Sequence, residues 1–190
     1  IGAEDTFRGV VDLMEWRAIV WSDEIGAQYE EVPIPEDVEV RASEAREAML
    51  EAIVETDDDL LERYLEGETI LPEDLRRTLR QATIDGMLQP VLCGSALRNK
   101  GVQPLLDAVV DFLPSPVDVP PIEGRNPKKE RVEARPADPS EPLAALVFKI
   151  TTDPYAGRLA YFRVYSGTIT RGNVYLNPAK STRERVTKLL

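Results

Sequence analysis

The sequence predicts an α+β chain of more than one domain: a mixed α/β part, a proline-rich strap, and then part of an antiparallel β-barrel. Three observations carry this. Before residue 114, strand-like stretches and segments of helical periodicity occur in the same region, and both kinds need a shared core. Residues 114–142 hold 8 of the chain's 15 prolines, which fix φ and remove backbone donors, so an extended strap is expected there. After residue 142 every patterned segment is strand-like.

Residues 6–13 alternate as a strand does, and 16–21 are rich in strand formers. Residues 22–26 read as a turn and 28–32 as a third strand, which ends before Pro33 and Pro35. Together they give a small antiparallel sheet, with Trp16 and Trp21 in its core or on its face. Residues 37–55 read as a helix whose Val38, Ala42, Ala45, Met49, Ala52 and Ile53 share one face. A second helix over 59–66 stops at Gly67, and Asp57-Asp58-Asp59 reads as its cap, since the spacing of a calcium loop is absent. A third opens with Pro72 at its first position and runs to near Asp85, with Leu75, Leu79 and Ala82 inward.

Residues 87–93 form a short apolar run that suits a buried strand ending in an inert Cys93. Residues 94–101 are a polar loop. The helix expected over 102–112 turns Leu105, Leu106, Val109 and Leu113 inward and stops at Pro114. Beyond the strap, 143–151, 158–166, 173–177 and 182–190 read as strands, punctuated by glycines at 157, 167 and 172. Four strands are few for a closed barrel, so an open edge is expected.

Composition removes several classes of function. There is no histidine and one cysteine, which excludes an internal disulfide, a zinc site of the usual kind and a histidine-based triad. The lone cysteine fits a reducing compartment. No run of about 18 apolar residues and no basic-then-apolar leader are present, so a cytoplasmic protein without a membrane span is expected. The chain begins at Ile1 rather than Met, and further sequence is expected to precede it. The net charge of −11 is divided: residues 1–142 hold 15 Lys and Arg against 32 Asp and Glu, a net of −17, and residues 143–190 hold 8 against 2, a net of +6. The acidic part should avoid nucleic acid and attract a basic protein, and the basic part could face phosphates.

Three features could carry chemistry or binding, and each has a plain alternative. Gly94-Ser95-Ala96-Leu97 follows the predicted strand at its carboxyl end, where α/β sheets bind nucleotides; it also reads simply as a tight turn. Glu44, Glu47, Glu51 and Glu55 recur at helical spacing, within a stretch (23–74) of 19 acids and 3 bases; they form either a solvated face or a partner surface. In the last part, Lys149, Arg158, Arg163, Arg171, Lys180, Arg183, Arg185 and Lys188 are interleaved with Tyr155, Tyr161, Phe162 and Tyr165. That pattern suits an ordinary barrel or a phosphate-facing surface.

A resemblance bears on these alternatives. Gly94-Ser95-Ala96-Leu97-Arg98-Asn99-Lys100-Gly101-Val102 resembles the last guanine-nucleotide motif of the elongation factor G family. Residues 105–116 are similar to that family's closing GTPase-domain helix and exit. Ala144-Ala145-Leu146-Val147-Phe148-Lys149-Ile150, Asp153-Pro154-Tyr155-Ala156-Gly157-Arg158-Leu159 and Phe162-Arg163-Val164-Tyr165-Ser166-Gly167 resemble its second domain, and Phe7-Arg8-Gly9-Val10-Val11-Asp12-Leu13 the entry to its GTPase-domain insert. The motifs are collinear over nearly the whole chain.

The resemblance implies a GTPase-domain insert over 1–86, the last strand–loop–helix of a P-loop GTPase domain over 87–116, a strap over 117–142, and the start of a β-barrel domain over 143–190. Ser95, Ala96 and Leu97 would lie against guanine, with the Ala96 N–H donating to the base carbonyl. Glu44, Glu47, Glu51 and Glu55 would meet the ribosomal stalk protein. Arg158 and Arg171 would touch small-subunit ribosomal RNA. GTP or GDP and Mg²⁺ are implied for the full-length protein, and no DNA or membrane partner. No G-x-x-x-x-G-K-[ST] and no Asn-Lys-x-Asp occur in these residues. The chain by itself is therefore expected to contain no catalytic residue and to be inactive. Two other readings remain: another translational GTPase, such as a release factor 3-like or ribosome-protection protein, and a non-enzymatic ribosome-binding module.

Overall fold

The computed structural model describes residues 1–126, 129–155 and 157–190. Residues 127 and 128 of the strap and Ala156 of the Asp153–Leu159 motif lie outside the described residues. The chain divides into two units, Ile1–Leu113 and Pro114–Leu190.

The first unit opens with a 3₁₀ turn at Glu4–Thr6 and a three-stranded antiparallel sheet in the order β1 (Gly9–Asp12), β2 (Arg17–Trp21), β3 (Tyr29–Val32). The register pairs Val10 with Ile19 and Trp21 with Tyr29. Val10, Ile19 and Trp21 are buried together, with Phe7 against them. Trp21 is only 3% exposed. The β1–β2 turn is closed by Asp12, whose Oδ1 accepts from the Met14 and Glu15 amides at 3.0 and 3.1 Å. Trp16 in that turn lies beneath the Arg46 guanidinium, 5.5 Å from its ring centre.

Helices follow as α1 (Glu36–Val54), α2 (Asp58–Leu65), α3 (Pro72–Ile84) and α4 (Val102–Phe112). Asp57 caps α2 through a 3.0 Å bond from the Leu60 amide, and Pro72 sits at the first position of α3. Ile53 and Val54 from α1, Leu60 from α2, Ile70, Leu75 and Leu79 with α3, and Phe112 from α4 form one core. Met14, from the β1–β2 turn, packs against it. Full burial of each such side chain is worth roughly 1.5–3 kcal/mol.

Several expectations are corrected here. Residues 87–94 form no strand, and Met87, Val91, Leu92 and Cys93 are exposed. A strand requires a neighbour to take its backbone bonds, and none of the described residues pairs with this stretch. Helix α4 buries Phe112 and half-buries Ala108, which share a face at i and i+4, whereas Leu105, Leu106, Val109 and Leu113 are exposed. Its wider apolar face has no covering layer among the described residues. On α1, Ala45 and Ala52 are exposed and Val54 is buried instead.

The second unit consists of three antiparallel hairpins: β4 (Ile122–Arg125) with β5 (Val132–Arg135), β6 (Ala144–Asp153) with β7 (Gly157–Ser166), and β8 (Val174–Asn177) with β9 (Thr182–Arg185). The first hairpin lies in the stretch read as an extended strap. It is organised by Glu133, which accepts from Asn126, Arg131 and Arg135 at 3.0, 3.1 and 2.7 Å. These partners, Asn126 first, lower the Glu133 pKa to about 2. The four strands expected over 143–190 are present as two hairpins, and no barrel is closed among the described residues. The last is shorter than expected, ending at Arg185 rather than 190. The strap is tied to the end of β7 by bonds from the Gly167 amide to the Asp138 carbonyl (2.9 Å) and from Thr168 Oγ1 to the Pro139 carbonyl (3.1 Å).

Candidate functional site

The polar loop at 94–101 takes its shape from its own backbone. Ser95 and Lys100 face each other as an antiparallel bridge, with Ser95 N–H donating to the Lys100 carbonyl at 2.7 Å and Lys100 N–H returning to the Ser95 carbonyl at 3.1 Å. Between them Ala96–Arg98 make a 3₁₀ turn, closed by Arg98 N–H on the Ser95 carbonyl at 3.1 Å. Gly101 ends the loop at φ 90°, and a Cβ there would stand 2.9 Å from the Cys93 carbonyl. The position therefore requires glycine.

The outer side of this loop is bare. Leu97 is 95% exposed and Ala96 is exposed. The Ala96 and Leu97 amides, at the start of the turn, donate to no acceptor among the described residues. A planar ligand with a carbonyl edge could take those donors, with Leu97 against its face.

The inner side of the loop is seated on the sheet. Arg98 Nη1 donates to the Asp5 carbonyl (3.0 Å) and Nη2 to its carboxylate (2.9 Å). Asn99 Nδ2 donates to the Ile25 carbonyl at 3.2 Å, Lys100 Nζ to the Phe7 carbonyl at 3.4 Å, and Gln103 Nε2 to the Gly26 carbonyl at 2.9 Å. These tethers span 74 to 93 residues of sequence. Sequence reasoning missed all of them, because a bond to a backbone carbonyl in a distant turn leaves no pattern in either segment.

Glu44, Glu47, Glu51 and Glu55 are all exposed along α1 and its C-terminal end. None forms an ion pair among the described residues. The helix is held from its opposite side. Arg46 reaches the Leu13 carbonyl and, at 2.9 Å, the Met14 carbonyl. Arg76 of α3 extends the clamp by pairing with Glu15, and with Asp111 of α4 at 3.6 Å. The Glu15 carboxylate raises the Arg76 pKa above its ordinary value, against the opposing effect of burial. Arg80 donates to the Val110, Asp111 and Leu113 carbonyls at 3.2, 2.7 and 3.3 Å, which caps the last turn of α4.

In the second unit Arg158 is exposed at the start of β7, and Arg171 is exposed in the turn before β8, its Nε donating to the Thr187 carbonyl at 3.1 Å. Tyr155 is exposed, and Lys149 lies 5.7 Å above the ring of Tyr161, its cross-strand partner. Among the described residues no cluster of acidic or sulfur side chains could hold a metal ion, and no helix is long and apolar enough to cross a membrane.

Comparison with known proteins gives three findings. The model of elongation factor G domain 2 matches residues 142–190. Elongation factor G of Thermotoga maritima is 50% identical over 190 residues, all of this chain and 28% of that protein. A crystal structure of a Thermus thermophilus protein superposes with a TM-score of 0.70 at 31% identity, over 98% of this chain and 25% of the other. The chain thus spans little more than a quarter of the curated relative it matches. None of these findings favours a different translational GTPase or a free-standing binding module. With collinear motifs, a mixed helix and antiparallel-sheet architecture and whole-chain identity in agreement, the chain belongs to the elongation factor G family, as a stretch of such a factor.

Proposed function

We propose that this chain is the part of a GTP-dependent translocation factor that reads the guanine base and meets the ribosome, while phosphate binding and hydrolysis are carried out by other parts of the full-length protein. The observation that carries this reading is the loop at 94–101. Its outer amides at Ala96 and Leu97 have no acceptor among the described residues, its outer side chain Leu97 is bare, and its inner side is fixed by bonds to a separate sheet. A rigid donor aimed at a base carbonyl discriminates strongly, because a base lacking that carbonyl leaves the donor unpaired. Guanine offers an acceptor at this edge, where adenine offers an amine.

Two further contacts belong to the same proposal. The acidic face of α1, Glu44 to Glu55, receives a basic surface of the ribosomal stalk protein. Arg158 and Arg171 approach phosphates of small-subunit ribosomal RNA, a contact that weakens as salt rises. GTP or GDP and Mg²⁺ are the ligands of the intact cytoplasmic factor. The loop fits the base end of that nucleotide. The chain has no phosphate-loop motif for the other end, so by itself it is proposed to lack GTPase activity.

Ala96→Pro in the full-length protein tests the base-reading role. Proline removes the amide donor at the first position of a helical turn, where its ring is tolerated. The preceding Ser95 already has the extended backbone that proline requires of its neighbour. GDP affinity should fall by about tenfold or more, the scale of one lost hydrogen bond to a preorganised site. Unchanged affinity would remove Ala96 from the site.

A further inference from the structure

A loop that reads a base must be held still, and this one is bonded to the sheet along its inner face. We infer that the small sheet at the start of the chain is the positioning element of the base-reading loop, acting through Gly26, Asp5 and the residues that bind them, so that guanine preference is set in part by residues that never touch the nucleotide. This inference rests on the reading of residues 95–97 as the base contact.

The internal bonds of the loop fix its shape but not its place. Its place comes from elsewhere. Arg98, Asn99 and Lys100, which immediately follow the exposed residues, and Gln103 in the first turn of α4 each donate to a backbone carbonyl of the 3₁₀ turn, the entry to β1, or the β2–β3 turn. The closest approach is at Gly26. This residue is buried and has φ 68°. A Cβ at Gly26 would lie 2.5 Å from the Arg98 carbonyl oxygen and 2.7 and 2.8 Å from the Asn99 carbonyl carbon and oxygen. The β2–β3 turn therefore presses backbone against backbone on the loop at Arg98 and Asn99, the residues that immediately follow Ala96 and Leu97. That turn is itself fixed by Asp23, whose carboxylate accepts from the Ala27 amide at 3.0 Å and the Gln28 amide at 3.3 Å. A side chain at residue 26 has no room unless the loop moves outward. Loss of the Gln103 donor releases the junction of the loop and α4 without placing anything new in the contact.

The experiment uses the full-length protein, with Gly26→Ala and Gln103→Met as separate variants. The first crowds the loop; the second keeps side-chain size and buries no charge. Dissociation constants are measured for GDP and for the diphosphate of 2-aminopurine riboside, which has no carbonyl at the base edge, together with the melting temperature. The parent protein should prefer GDP. Both variants should bind GDP about tenfold more weakly, with affinity for the 2-aminopurine nucleotide changed less than about twofold, so that the preference collapses. Equal weakening of both nucleotides, or a lower melting temperature with the preference intact, would show that these contacts serve stability alone and would overturn the inference. A parent protein with no preference between the two nucleotides would refute the underlying base-reading proposal instead. Because Gln103→Met leaves the sheet turn unstrained, it gives the result even where Gly26→Ala impairs folding.

Discussion

Reversing two charges on α1 separates a partner surface from a merely solvated one. Glu44 and Glu47 lie three residues apart, Glu47 and Glu51 four, and Glu51 and Glu55 four, and all are exposed without a paired base among the described residues. Each like-charge pair at this spacing costs a helix about 0.2–0.5 kcal/mol. In the double variant Glu47→Lys, Glu51→Lys, the outer two pairs become attractive and the middle pair stays repulsive. The fold should thus gain roughly 1 kcal/mol, and a thermal melt should show no loss of stability. Binding to the C-terminal domain of the stalk protein should move the other way. An exposed ion pair contributes about 0.2–1 kcal/mol, and reversal replaces attraction with repulsion at two positions. The expected loss is roughly 1–3 kcal/mol, between about fivefold and about a hundredfold in Kd. Calorimetric titration at low and high salt reads both the loss and a flatter salt dependence. An unchanged Kd with an unchanged salt dependence would refute the assignment of this face.

Two predictions concern the scaffold. Leu75 is 0% exposed at the centre of the helical core, so Leu75→Ala should lower stability by about 2–5 kcal/mol in a denaturant titration. Glu133 has a folded-state pKa of about 2 against an ordinary 4.5. Because the folded value is the lower one, its contribution is present above pH 4.5 and is lost as pH falls toward 2. Carboxyl chemical shifts should give a Glu133 midpoint near 2, and Glu133→Gln should abolish that part of the acid dependence of the β4–β5 hairpin.

The parts of the fold legible in the sequence are those whose signal is local. Leu75, Leu79 and Ala82 recur at helical spacing and are all buried; Asp57 caps the helix it precedes; the alternation over 6–13, the strand formers over 16–21 and the short stretch at 28–32 correspond to the three-stranded sheet. The misread parts depend on what lies opposite. An apolar run such as 87–93 carries no information about whether a neighbouring strand is there to pair with it. Helix α4 is apolar around most of its surface, so periodicity could not say that Phe112 would be buried while Leu105, Leu106 and Val109 stayed open. In the hairpin at 122–135 each strand is only four residues long, and β4 is exposed throughout, so no burial alternation marks it. The exposed acidic face was legible because like charges repeat along one helix. The tethers beneath the loop were not, since Gly26 and Gln103 are 77 residues apart and are joined through a backbone oxygen.

Residues 95–97 are proposed to read a guanine base from a loop seated on the sheet. A structure of the full-length protein with GDP bound tests it most directly, through one distance. The Ala96 nitrogen should lie within about 3 Å of the guanine carbonyl oxygen, a hydrogen-bond length, with Leu97 against the base and Gln103 still on the Gly26 carbonyl. A guanine bound elsewhere, or bound here with the Ala96 amide turned away from it, would show that this loop does not read the base.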